Sequence, residues 1–468
     1  MTGMHEGLRE WSAWWTPGRE DAPAMGELEF DSVEGPRVTL FELPPGLHTD
    51  KFRVPTLLGR TFEGTALTLV GAVITQWQTN LGAGAHVRIR LRADMLLRGG
   101  HRDEGEEVLV QQVRVRYAGL RELCFRTPPV NREPTMFLST DPGAQRRIRV
   151  DGGLLTFECI ESRNRSPFGE AWERDVEVRL DADEALPLAE FDERWLMPLQ
   201  GLVILAGREP TVREALTLIL EDPQAANYHP ATVRGLSPEE LRTQRVDVLT
   251  RTPGLNAEPS TDCEHLLVPF AALKDGIDDF VAAWFRLYAE LGEAAVFLMS
   301  AFGSQLFLDN KLLNEMSFAE SYHRVKHDEP AVPVDDHERY TAAMLALVED
   351  NAHRDHYKQK LRYAAEQTAR RRIKWLVRRA HELLPDVQGL NRQLADDLVD
   401  TRNALTHLDP TGPPAPLAGV RLALAVVRLE MVIRTNILLD LGLDPGLVAG
   451  LLANSYRGQV PVVDIPWD

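Results

Sequence analysis

The period of the hydrophobic pattern changes once along this chain of 468 residues, and that change limits the fold more than any other feature. Up to about residue 250, short β-rich runs alternate apolar and polar residues, as at 37–41, 67–69, 86–92, 108–117 and 175–180. Alternation at period 2 places one face of each strand in a core and the other in water, the pattern of antiparallel sandwiches and barrels. One apolar stretch, Phe191 to Gly207, interrupts the pattern and reads as a buried helix. Beyond residue 260 the period becomes 3.6: Phe280, Trp284, Tyr288, Leu291, Ala295 and Leu298 step by three or four along what reads as one long helix. Similar stripes cover 312–325, 340–348 and 361–384, and Leu422, Val426, Leu429, Ile433 and Ile437 lie on one side of the last element. Between the two regimes, Thr250 to Ser260 is rich in turn formers. The chain is too long for one ordinary core. The expectation is an α+β protein of two domains: residues 1–255, an antiparallel sandwich or barrel, and residues 256–468, an all-α bundle.

The net charge is −18, which argues against a surface that coats nucleic acid everywhere. The charge is uneven, however. Residues 358–379 hold nine basic side chains against Glu366, a local +8 that leaves −26 on the rest of the chain. Such a strip confines a polyanion to one place, or else is simply a solvated face. Cys124, Cys159 and Cys263 are far apart and suggest neither a disulfide framework nor a zinc knuckle, which fits a reducing cytoplasm. The N-terminus has no signal-peptide core and the longest uncharged apolar run, 196–206, is too short to span a bilayer.

Chemistry concentrates in Arg402-Asn403-Ala404-Leu405-Thr406-His407, near the end of a helix that Pro410 stops. An imidazole such as His407 can pass a proton between a ribose 2′-hydroxyl and a leaving 5′-oxygen. The guanidinium of Arg402 can neutralise charge developing on a phosphorus centre, and Asn403 can orient a phosphate oxygen or the imidazole. This chemistry needs no metal and selects RNA, which alone has the internal nucleophile. Positions five apart lie about 140° from each other on an ideal helix. Either the helix unwinds near Thr406, or a second copy completes the site across a twofold axis. The bland alternative is an Arg and a His at a helix C-terminus, favoured there by the macrodipole.

Residues 398–407, on the penultimate helix of the bundle, resemble the hallmark of the HEPN domain of the ApeA family, with matches at Arg402, Asn403 and His407. Upstream, Glu320-Ser321-Tyr322-His323-Arg324 resembles the Glu-x-Tyr-His-Arg stretch on an early helix of that domain. The first half is similar to the family's N-terminal domain: Trp11, Trp14 and Trp15 precede a Gly-Glu-Leu hairpin, and Phe62 to Leu69 follow. The resemblance implies a bacterial abortive-infection protein acting against phage, whose HEPN domains cleave RNA, tRNA among the candidates, without metal and across a homodimer interface. It implies Arg402, His407 and Asn403 as catalytic and Glu320, Tyr322 and His323 as supports. It also implies a β-rich domain that senses an infection signal, such as a phage product or a nucleotide.

From the basic strip, Arg370, Arg371, Lys374 and Arg378 are the candidate RNA-binding residues, although the run of three arginines points around more than half of a helix. Trp375 is either a core anchor or a platform for a base, the first reading being favoured. Glu320, His323 and His327 share a helix face and could ligate a metal, but a polar seam is the favoured reading. The other histidines, His265, His353, His356 and His381, read as surface or core residues. No phosphate-binding glycine loop or nucleophile elbow is present, and no cofactor is called for. The competing function is a catalytically silent HEPN scaffold that binds RNA or a protein.

Overall fold

The computed structural model describes residues 7–31, 34–47, 52–80, 86–101, 108–125, 137–166, 169–208, 210–221, 243–250, 266–302, 306–327, 329–362, 364–407, 416–456 and 459. The chain divides into two compact units, Met1–Phe285 and Arg286–Asp468. Of the turn-rich segment 250–260, all but Thr250 lies outside the described residues.

The first unit begins with a closed six-stranded barrel. Its strands are β1 (Leu8–Trp15), β2 (Ala24–Asp31), β3 (Gly35–Leu40), β4 (Arg53–Thr61), β5 (Ala66–Asn80) and β6 (His86–Arg92). They run in the order β4-β1-β2-β3-β6-β5, all antiparallel, and pairing of β4 with β5 closes the ring. Of the two expected architectures, the barrel is the one formed. Strand β6 shows why the alternation was readable: Ile89 and Leu91 enter the core beside Leu28, Val38 and Leu69, while Arg88 and Arg90 face water. Trp14 fills the barrel, its indole N–H donating to Ser12 Oγ at 2.8 Å. Its ring lies so close to β4 that a Cβ on Gly59 would stand 2.6 Å from Trp14 Cε3, so this wall position must be glycine.

The remaining strands are β7 (Met95–Arg98), β8 (Leu109–Tyr117), β9 (Gln145–Val150), β10 (Gly153–Ser166), β11 (Gly169–Pro187), β12 (Arg213–Glu221) and β13 (Thr243–Thr250). They extend the sheet as β7-β13-β12-β8-β11-β10-β9. The fork lies where β6 passes into β7, both pairing with β5. There Gly71 sits at φ +65°, a backbone conformation that strains any other L residue, and a Cβ would meet the Asp94 carboxylate. Helices α1 (Leu120–Phe125), α2 (Leu188–Phe191) and α3 (Met197–Gly207) belong to this unit, with a π turn, Asp192–Leu196, joining the last two. Together they form the buried helix expected over 191–207, with Leu199, Leu202, Ile204 and Leu205 enclosed. Tyr117 holds it by donating to the Leu196 carbonyl at 2.9 Å. Residues 267–285 pack with the same unit: the N–H groups of Leu267 and Val268 both donate to the Ala206 carbonyl. Trp284, on α4 (Ile277–Leu291), donates to that of Pro198 at 2.7 Å. Cys124 and Cys159 are buried free thiols, and Cys263 lies outside the described residues.

The second unit is helical: α5 (Ala294–Phe302), α6 (Leu308–His327), α7 (Val334–Ala346), α8 (Asn351–Leu361), α9 (Ala369–Leu383), α10 (Arg392–His407), α11 (Gly419–Asp440) and α12 (Pro445–Ser455). Three helix readings need correction. The stripe through Phe280 and Leu298 is two helices, because Gly292 at φ +51° ends α4. The stripe over 361–384 is also broken, since Thr368 caps α9 by accepting from the Arg371 N–H at 3.3 Å. Among the described residues two helices, not one, follow α10. The signal for the second is local: Asp444 accepts from the Leu447 N–H at 3.0 Å with Pro445 in the first turn. α11 is the central element, with Leu422, Val426, Leu429, Ile433 and Ile437 buried as its stripe required. Arg434 and Glu430 are buried on it too and pair at 3.1 Å. No described helix is long and apolar enough to cross a membrane.

Candidate functional site

Helix α10 carries the Arg-x4-His motif. It starts where Asn391 accepts from the Leu394 N–H at 3.2 Å, and it buries Leu394, Ala395, Leu398 and Val399. Thr401, buried behind the motif, accepts from the Leu417 N–H at 3.1 Å and so anchors the chain entering α11. The helix is continuous through His407, its last residue, so unwinding at Thr406 does not occur. Arg402 and His407 therefore stand about 140° apart around one axis. The side chain of His407 lies outside the described residues.

Arg402 is about one-third exposed. Its Nη1 donates to Asn403 Oδ1 at 3.1 Å, and its Nη2 lies 3.6 Å from Glu320 Oε1 on α6. Asn403 thus orients the guanidinium. Glu320, named from sequence as a support, is beside the arginine it would position. Thr406 donates back to the carbonyls of Arg402 and Asn403 at 2.9 and 3.2 Å, which turns its hydroxyl onto the helix itself.

The other two supports, Tyr322 and His323, have partners on α11 and α9. Tyr322 is buried and donates its hydroxyl to Asp440 at the end of α11. His327 Nε2 lies 2.9 Å from the same carboxylate, and Arg379 Nη1 donates to it at 2.6 Å. Burial alone would raise the Asp440 pKa, but the hydrogen bonds from His327, Tyr322 and Arg379 outweigh it and hold the group at about 2. Burial pushes the Tyr322 phenol well up, and the neighbouring Asp440 adds to it. His323 is buried and packs edge-on against Trp375, with ring centroids 5.1 Å apart. Glu320 and His327 thus turn to different partners. Among the described residues no group of three His, Cys, Asp or Glu is placed to hold a metal ion.

Besides Arg379 at Asp440, residues of the basic strip take three further directions. Arg370 reaches α10 and pairs with both Asp396 and Asp400, and Lys374 pairs with Asp396 at 2.6 Å. Burial raises the Asp396 pKa, yet the bonds from Lys374 and Arg370 hold it below the usual range. Arg372 is buried and donates to the Gln367 carbonyl at 3.0 Å. Arg371 and Arg378 are exposed and line a cavity with Lys374 and Trp375. Asp440 escaped the sequence reading, as its partners lie up to 118 residues away. The clamp on Arg370 escaped it too, since Asp396 and Asp400 lie 26 and 30 residues along the chain from the arginine.

Residues 10–284 match the family model for ApeA N-terminal domain 1, and residues 313–447 match the model for the Apea-like HEPN domain. No curated protein and no solved structure matches the chain.

Proposed function

The chain belongs to the family of ApeA-like proteins with a C-terminal HEPN domain, and from that membership we propose that it is a metal-independent endoribonuclease of bacterial anti-phage defence. The observation that carries this reading is the setting of Arg402: half-buried, oriented by Asn403 and Glu320, and on one unbroken helix with His407. A guanidinium so held is preorganised for a phosphate rather than spent on a buried ion pair.

In the proposed reaction the ribose 2′-oxygen gives its proton to a base and bonds to phosphorus. The bond from phosphorus to the 5′-oxygen breaks, and that oxygen takes up a proton. The products are a 2′,3′-cyclic phosphate and a 5′-hydroxyl end. Arg402 neutralises the charge on the pentacoordinate phosphorus, and His407 moves the proton. Because positions 402 and 407 lie about 140° apart around α10, each working site takes Arg402 from one copy of the chain and His407 from its twofold mate.

The test is incubation of the purified protein with tRNA and total RNA in EDTA, beside Arg402→Ala and His407→Ala. The expected result is cleavage by the parent and a loss of about 100- to 1000-fold in each variant. Cleavage that persists in both variants removes these residues from the site.

A further inference from the structure

A second feature of the helical unit is lined by residues outside the motif. α9 presents Arg371, Lys374, Arg378 and His381 at spacings of three, four and three, one continuous stripe, to a cavity of about 680 Å³. Arg392, at the start of α10, faces it from another wall, and Glu329 is the one carboxylate among the described lining residues. Trp375, Val377, Leu390 and Pro330 supply apolar surface, with Val377 and Leu390 almost wholly buried. The cavity is built rather than accidental. Gln367 donates to the Glu329 carbonyl and Ala331 to that of Ala365, both at 2.7 Å, and these bonds fix the strap that covers one side.

The cations are not consumed by their surroundings. Lys374 shares Asp396 with Arg370, but Arg371 and Arg392 have no acidic partner among the described residues, and Arg378 has only the exposed Glu382 at 3.8 Å. Planar guanidinium forks match phosphate oxygens, while a phosphate alone would leave the apolar walls and most of the volume unused. A flat, apolar body joined to a phosphate satisfies both halves. We propose that this cavity binds one nucleotide unit, its phosphate among Arg371, Arg378 and Arg392 and its base against the Trp375 and Leu390 side. Arg392 and Arg402 are ten residues apart on α10, about 15 Å of helix rise, so this wall of the cavity lies nearly three turns from Arg402. The unit is either a free nucleotide or one residue of a bound RNA strand.

Full-length Arg402→Ala protein separates this inference from the cleavage reading, since binding is then measured on a chain expected not to cut. Equilibrium dialysis in EDTA with AMP, ATP, inorganic phosphate and a short single-stranded RNA is compared with the same chain carrying Arg371→Glu and Arg378→Glu. Both sites are exposed, so the thermal melt should not move. Expected is binding of AMP, ATP or the RNA that weakens about tenfold or more on charge reversal. Competition between AMP and the RNA assigns the cavity to a residue of the strand, and nucleotide binding without competition assigns it to a free nucleotide. The proposal is overturned if neither nucleotide nor RNA binds, if charge reversal leaves affinity unchanged, or if phosphate alone binds as tightly as AMP.

Discussion

Arg402 on α10 and Glu320 on α6 place a guanidinium Nη2 and a carboxylate Oε1 3.6 Å apart, across 82 residues of chain. The pair is partly exposed, so its contribution to stability is at most about 1 kcal/mol. Its effect is on direction: with Asn403 holding Nη1, Glu320 limits the remaining rotation of the guanidinium. Glu320→Gln should therefore leave the melting temperature unchanged while lowering the cleavage rate about 10- to 100-fold, the usual consequence of a charged group misplaced by an ångström. An unchanged rate would show that Arg402 is oriented without Glu320.

Asp440 is the junction of α6, α9 and α11, accepting from Tyr322, His327 and Arg379. Its folded pKa of about 2 lies below the ordinary 3.8, so the carboxylate form stabilises the fold. That stabilisation is present above about pH 4 and is lost as the pH falls from there toward 2. Asp440→Asn should cost roughly 2 to 3 kcal/mol at pH 7 in urea unfolding. The gap between parent and variant should close progressively below pH 4. A gap that is constant from pH 6 to pH 2.5 would mean that packing, not charge, is what the substitution removes.

Glu315 has the opposite sign. It is fully buried on α6, and burial raises its pKa well above 4.5, with Glu430 adding to the effect and Lys311 and Arg434 opposing it. A group with a raised folded pKa contributes stability at low pH and loses it as the pH climbs from the unfolded value through the folded one. Glu315→Gln keeps the shape and removes the titration. The variant should match the parent near pH 4 and become the more stable of the two as the pH rises toward 8, read as the urea midpoint. Greater stability of the parent at pH 8 would show that Lys311, 3.7 Å away, holds the carboxylate ionised.

How much of this was legible follows the range of each interaction. Ile89 and Leu91 declared a one-sided strand because a strand's own alternation records which face is dry. The full length of β5 was not readable from 67–69, since its ends are set by pairing with β6 and β7 at the Gly71 and Asp94 fork. A helical period likewise records that a stripe exists without saying what covers it. Tyr340, Met344 and Leu347 keep the spacing, yet Leu347 is 83% exposed and α7 and α8 bury no residue. The motif was visible as six consecutive residues. Its setting was visible only in part: Glu320 came from a second local match, whereas the Arg370 clamp and the Asp440 junction join segments that no local pattern connects.

The continuity of α10 through His407 leads to the most discriminating prediction. If each working site combines Arg402 of one copy with His407 of the other, then Arg402→Ala and His407→Ala chains are each inactive alone but complementary together. In a mixed dimer one of the two sites receives an intact Arg402 from one chain and an intact His407 from the other, while its twin receives neither. Random exchange makes half of the dimers mixed, so co-refolded variants should recover about a quarter of the parent's cleavage. Each variant alone should remain at background, and light scattering should give a dimer mass throughout. Mixed dimers that form but do not cleave would defeat the shared site. Full activity of the parent at concentrations where only monomer is present would defeat it independently.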